Sequence, residues 1–136
     1  MRVFLDTNVL VSAFATRGLC ADVFELVLLN HELILGRSVL RELEKALRQK
    51  VKLPARDSAA ILAFITDQAA HLVESSRPVS AAVDADDAIV LGEAVHGNAE
   101  LLVTGDAKVL ALGRHGELRI VSPRAFWEVL QTGRSR

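Results

Sequence analysis

The chain has 136 residues, 51% of them apolar, with 16 basic against 17 acidic side chains and a formal charge of −1. That length suits one compact domain, and a near-neutral balance excludes a generic polyanion binder, so any nucleic-acid affinity must come from a local patch. Cys20 is the only cysteine, which excludes an intrachain disulfide and a thiolate zinc site.

No apolar run approaches the roughly 20 residues of a membrane span. Asp6 and Asn8 interrupt the signal-like start, so Met1 is expected to begin the mature chain in a reducing, cytoplasmic setting. A single domain over residues 1–131 is expected, followed by a loose tail over 132–136.

Arg2 to Leu5, β-branched and aromatic, reads as the first strand, and after the turn Asp6-Thr7-Asn8 the stretch Val9 to Ala15 suits a helix. Ala21 to Asn30 repeats helical spacing, with Cys20, Val23, Phe24 and Val27 on one stripe. Glu32 to Leu35 is a short apolar strand ended by Gly36, and Ser38 is placed to cap a helix carrying Leu40, Leu43 and Leu47. Pro54 suits the first turn of the next helix, whose buried side is expected to be Ile61, Phe64 and Ile65, with Leu72 beyond. Leu72 to Glu74 reads as a brief strand, and Ser75 to Val83 as a loop broken by Pro78. Asp84-Ala85-Asp86-Asp87 opens a helix through Val95 that Gly97 stops. Leu101 to Val103 forms a strand, a helix follows Asp106 through about Leu112, and Leu118 to Val121 is a further strand. Ser122-Pro123 starts a final helix with Phe126, Trp127 and Leu130 inward. Strands alternating with helices predict an α/β domain, a three-layer α/β/α sandwich with a central parallel sheet.

Four acids stand out against this framework: Asp6, Glu42, Asp87 and Asp106. Asp6 and Asp106 each follow a strand, and ligands of open parallel sheets gather beyond the strands' carboxyl ends. Glu42 lies early in its helix, and Asp87 heads the inward stripe of Val90, Leu91 and Ala94. Each acid alone has a plain structural role: turn residue, N-cap, or partner in an i,i+4 pair. Together, gathered at one sheet end, they would repel by roughly 4 kcal/mol per pair at about 4 Å and an effective dielectric near 20. A divalent cation relieves this, and oxygen ligands without clustered histidine or cysteine select Mg²⁺ or Mn²⁺. His31, His71, His96 and His115 are scattered. A hard cation in an acidic cleft would admit a phosphodiester and activate water, which points to nucleic-acid hydrolysis. Arg37, Arg41, Lys45, Arg48, Lys50, Lys52 and Arg56 form one basic patch, of which Arg41, Lys45 and Arg48, at helical spacing close to Glu42, are the candidate RNA contact; a solvated helix face is the plainer reading.

These residues resemble the PIN-domain ribonuclease family, and within it the toxins of bacterial and archaeal toxin–antitoxin pairs related to virulence-associated protein C. The resemblance runs from Val3 to about Leu130. It is carried by Val3-Phe4-Leu5-Asp6-Thr7-Asn8-Val9-Leu10, Ser38-Val39-Leu40-Arg41-Glu42-Leu43, Asp84-Ala85-Asp86-Asp87 and Leu101-Leu102-Val103-Thr104-Gly105-Asp106. It implies a Rossmann-like α/β/α fold and metal-dependent endonuclease activity on RNA. By position it makes Asp6, Glu42, Asp87 and Asp106 the acidic quartet, with Asp6, Asp87 and Asp106 as metal ligands and Asp84 as an outer carboxylate. Asn8 and Thr104 match positions that orient acids or water. Ala85 stands where related toxins often have proline. Ala107 stands where a basic residue is common, leaving Lys108 as the nearest phosphate contact. A homodimer and a small cognate antitoxin are also implied.

Two other readings compete. A receiver-type signalling module also holds Mg²⁺ on such a sheet, but it resembles this chain poorly: Asp6 lacks an adjacent acid, and Ser122, not lysine, precedes Pro123. A catalytically silent PIN-like module that only binds RNA or protein is the stronger alternative, because function rests on the site and not on the fold.

Overall fold

The computed structural model describes residues 1–75 and 83–134, the side chains of 131–134 excepted. The chain runs β1 (Arg2–Leu5), α1 (Thr7–Ala15), α2 (Leu19–Asn30), β2 (Glu32–Gly36), α3 (Arg37–Gln49), α4 (Ala55–Gln68) and β3 (His71–Val73). It continues through α5 (Ala85–His96), β4 (Leu101–Val103), α6 (Ala107–Leu110), β5 (Arg114–His115), β6 (Leu118–Val121) and α7 (Pro123–Arg134). The expected loop over Ser75 to Val83 falls mostly on residues 76–82, outside the described residues, as do 135 and 136 of the expected tail.

The strands form one sheet in the order β3-β2-β1-β4-β6-β5. β1 is central, parallel to β2 on one side and to β4 on the other, with Phe4 opposite Ile34 and Leu102. From β1 the chain builds outward to edge strand β3, and α5 then makes the return crossing to β4. The strand order therefore reverses between β1 and β4, the switch point beyond which open α/β sheets leave a crevice.

Val3, Phe4 and Leu5 are consecutively buried, as are Leu33 to Leu35 and Leu101 to Val103. Since successive strand residues point to opposite faces, helices must cover the sheet on both sides. This is the expected three-layer architecture. Among the described residues no helix is long and apolar enough to cross a membrane.

Several local expectations give way. The sheet is not wholly parallel: β5 pairs antiparallel with β6 through a hairpin at Gly116 (φ 59°), with Gly113 (φ 70°) just before it. Two polar residues leave no apolar periodicity by which such an edge strand could be read. That turn also limits α6 to Ala107–Leu110, short of Leu112. On α4 the covered stripe is Ser58, Ile61, Leu62 and Ile65, while Phe64 is 46% exposed and meets Phe24 edge-on. A buried serine disguises the direction of that stripe. Leu72 is 38% exposed, because edge strand β3 buries only Val73. Finally, α3 begins at Arg37 with Gly36 as its cap residue, so Ser38 sits inside the first turn rather than capping it.

Candidate active site

The site begins where β1 and β4 end. Asp6 N–H donates to the Val103 carbonyl at 3.0 Å, and Thr104 N–H to that of Val121 at 3.0 Å, carrying strand pairing past the last strand residues. Asp6 is 7% exposed. Its carboxylate accepts from Thr7 N–H at 2.8 Å, Thr104 Oγ1 at 2.7 Å and Asn8 Nδ2 at 3.3 Å. Asn8 Oδ1 in turn accepts from Gly105 N–H at 2.8 Å, and Thr104 Oγ1 from Asp106 N–H at 3.1 Å. The turns after β1 and β4 are thus laced into one unit around Asp6. Burial pushes the Asp6 carboxyl up from its ordinary range, the Thr104 and Thr7 hydrogen bonds oppose this, and the Asp106 charge adds to it.

Three further acids come from helices or their caps. Glu42, exposed on α3, accepts from Thr7 Oγ1 at 3.0 Å. Asp106 caps α6, accepting from the N–H groups of Lys108 at 2.8 Å and Val109 at 3.4 Å. Asp84 caps α5 by accepting from Asp87 N–H at 3.0 Å, which seats Asp87 in the first turn. Burial, followed by the charges of Asp84, Asp106 and Asp6, pushes the Asp87 carboxyl up to about 6. Capping and site-building are here the same act: Asp6 and Asp106 each give Oδ1 to a helix start, while Asp6 Oδ2 is held by Thr104 and Asn8.

Asp6, Glu42, Asp87 and Asp106 line one cleft of ≈ 360 Å³ at the switch point, with Thr7, Asn8, Val11, Ser12, Ala46 and Lys50. The acids ring this cleft without converging on a point; among the described residues no three Asp, Glu, His or Cys side chains form a ready-made cage. The donor set is nonetheless all oxygen, and the charges raising Asp87 show the unrelieved repulsion that a hard dication answers. Arg41, Lys45 and Arg48 do not enter the cleft. They line a separate groove of ≈ 640 Å³ with Leu53 and Ala55 at the start of α4. Lys108 bonds Asp106 through its backbone and is otherwise exposed.

Sequence reasoning missed the part of Thr7, which ties Glu42 to the turn after β1, and it placed Lys50 in the basic patch rather than in the cleft, which Lys50 lines among the described residues. The signal for Lys50 lay in the spacing of Glu42, Ala46 and Lys50, which share a helix face at successive i,i+4 steps.

A family model described as the PIN domain matches residues 2–108, a span that takes in β1, α3, α5, β4 and Asp106. The chain belongs to the PIN-domain family. Comparison with curated proteins gives no match. Among solved structures, VapBC2 from Rickettsia felis, bound to a DNA fragment from its promoter, is similar with a TM-score of 0.61 and 18% identity, over 90% of this chain and 98% of that one. VapBC-1 from nontypeable Haemophilus influenzae is similar with a TM-score of 0.62 and 19% identity, over 91% and 99%. At these identities the likeness is one of fold, and it agrees with a PIN-domain sheet whose switch point lies between β1 and β4.

Proposed function

We propose that this PIN-domain protein is a divalent-metal-dependent endoribonuclease and the toxin of a toxin–antitoxin pair. One observation carries the reading: four carboxylates from separate parts of the chain line a single cleft at the switch point of the sheet. Asp6, Asp87 and Asp106 would hold Mg²⁺ or Mn²⁺, with Asp84 behind Asp87, and the ion would neutralise the cleft, polarise the phosphodiester and lower the pKa of the attacking water.

The chain's own part is orientation. Asn8 and Thr104 fix the Asp6 carboxylate by donating to one oxygen, Oδ2, while Thr7 N–H takes the other. Such partners set ligand direction and basicity. Thr7 Oγ1 holds Glu42 on the opposite wall, as a group that orients or accepts a proton from water. Lys50 meets phosphate at the cleft, Lys108, exposed two residues beyond Asp106, offers a further contact, and Arg41, Lys45 and Arg48 draw the RNA backbone along α3. The VapBC likeness of the fold, joined to the toxin-like motifs, supports a small antitoxin as partner; a homodimer is the assembly we propose from the motif resemblance alone.

The test is cleavage of single-stranded RNA by purified protein with Mg²⁺, with Mn²⁺ and with EDTA, beside Asp6→Asn. Cutting only with the ions, and loss of at least about 100-fold in the variant, is expected. RNA retained but never cut under any ion would replace the nuclease with a silent RNA-binding module.

A further inference from the structure

Glu93 lies outside the acid cleft, in the middle of α5, and is fully buried at 0% exposure. A buried acid needs partners. Its Oε2 accepts from Ser38 N–H at 3.0 Å, and its Oε1 accepts from Ser38 Oγ. Ser38 belongs to the first turn of α3, a helix whose own cap residue, Gly36, supplies no side-chain hydrogen bond. The capping anion that α3 lacks in its own sequence is thus delivered from α5, where it also meets the positive end of the helix dipole. Gly36 makes room for it: a Cβ there would lie 2.8 Å from Phe4 Cζ and 2.9 Å from Glu93 Cδ. Arg41, one turn further along α3, lends a favourable charge, while Glu74 opposes. Burial raises the carboxyl's pKa, the mark of the desolvation this arrangement bears.

α3 carries Glu42 into the cleft, with its C-terminal cap residue Lys50, and α5 carries Asp87. We infer that Glu93 is a positioning residue: by clamping the start of α3 to the middle of α5, it sets where Glu42 stands relative to Asp87. The inference rests on the nuclease reading for its catalytic consequence, but not for its structural one.

The test uses the full chain with Glu93→Gln, and with Ser38→Ala as a milder cut of the same link. Amide exchange should accelerate in the first turn of α3 while β1, β4 and α5 keep their protection; uniform acceleration would mean general destabilisation and overturn the inference. In RNA cleavage, Glu93→Gln should cost roughly 10–100-fold, and nothing further once Glu42→Gln is present, because both changes act through one group. Multiplying losses would overturn it too. If wild-type protein cuts no RNA, the nuclease reading falls, and the exchange pattern together with Mn²⁺ affinity still decides whether Glu93 fixes α3.

Discussion

Replacing Asp87 by asparagine should stabilise the protein at neutral pH while disabling it. The carboxyl is shifted from 3.8 to about 6, first by burial and then by the charges of Asp84, Asp106 and Asp6. Roughly two pKa units correspond to about 3 kcal/mol if undiminished. Asp87 is only half-buried, so solvent screening leaves about 1 kcal/mol. Loss of one negative charge from the first turn of α5 takes back some tenths of a kcal/mol. The sign follows from proton linkage. Because the folded state holds its proton to higher pH than the unfolded state, wild-type stability falls as pH rises from about 4 to about 6, then levels. The variant lacks that fall. Urea denaturation from pH 4 to 8 should therefore show the two proteins converging at the acid end, with the variant ahead by roughly 0.5–1 kcal/mol above pH 6, or about 2–4 °C in Tm. Mn²⁺ should reverse the order by stabilising wild type more. Parallel profiles across the whole range would refute the claim that these acids repel one another in the folded state.

Substituting Arg41, Lys45 and Arg48 together by alanine should weaken RNA binding and flatten its dependence on log salt by about two to three units, measured by filter binding; an unchanged slope would make that groove mere surface. Ser58→Ala should raise stability in urea by about 1 kcal/mol, since the Ser58 hydroxyl is buried without a hydrogen-bond partner among the described residues. Gly36→Ala should cost about 1–3 kcal/mol in the same assay, because its methyl group would overlap Phe4 and Glu93.

The framework was legible because burial writes itself into the sequence. Apolar runs at Val3-Phe4-Leu5 and Leu101-Leu102-Val103, each closed by a polar turn, could only be strands covered on both faces, and they carry Asp6 and Asp106 to the same end. The stripe of Val90, Leu91 and Ala94 likewise placed Asp87 correctly at the head of α5. What stayed hidden were polar residues acting inside the fold. Ser58 reads as a surface residue, so the inward face of α4 was drawn towards Phe64. Glu93 reads as an ordinary helix glutamate, and Ser38 as the cap of its own helix, because a hydrogen bond between α5 and α3 leaves no periodic trace. The basic stretch of α3 divides for a related reason. Composition shows one patch, but the helix turns Lys50 towards the acids and sends Arg41, Lys45 and Arg48 into a different groove.

This division gives α3 its place in the mechanism. α3 and its cap residue Lys50 present an acid and a cation to the cleft, and Arg41, Lys45 and Arg48 line a separate groove, so under the proposed nuclease reading one face serves the acids and the other the RNA backbone. A helix with two such tasks must be held in rotation as well as in position. Thr7 Oγ1 fixes it at Glu42 and Glu93 fixes it at Ser38, two points from different elements and about one turn apart. Val39, Leu43 and Leu47, all fully buried, seat the helix against the core, and the two polar contacts add to that packing in its first turns. Both together set the angle at which Glu42 faces Asp6 and Asp87.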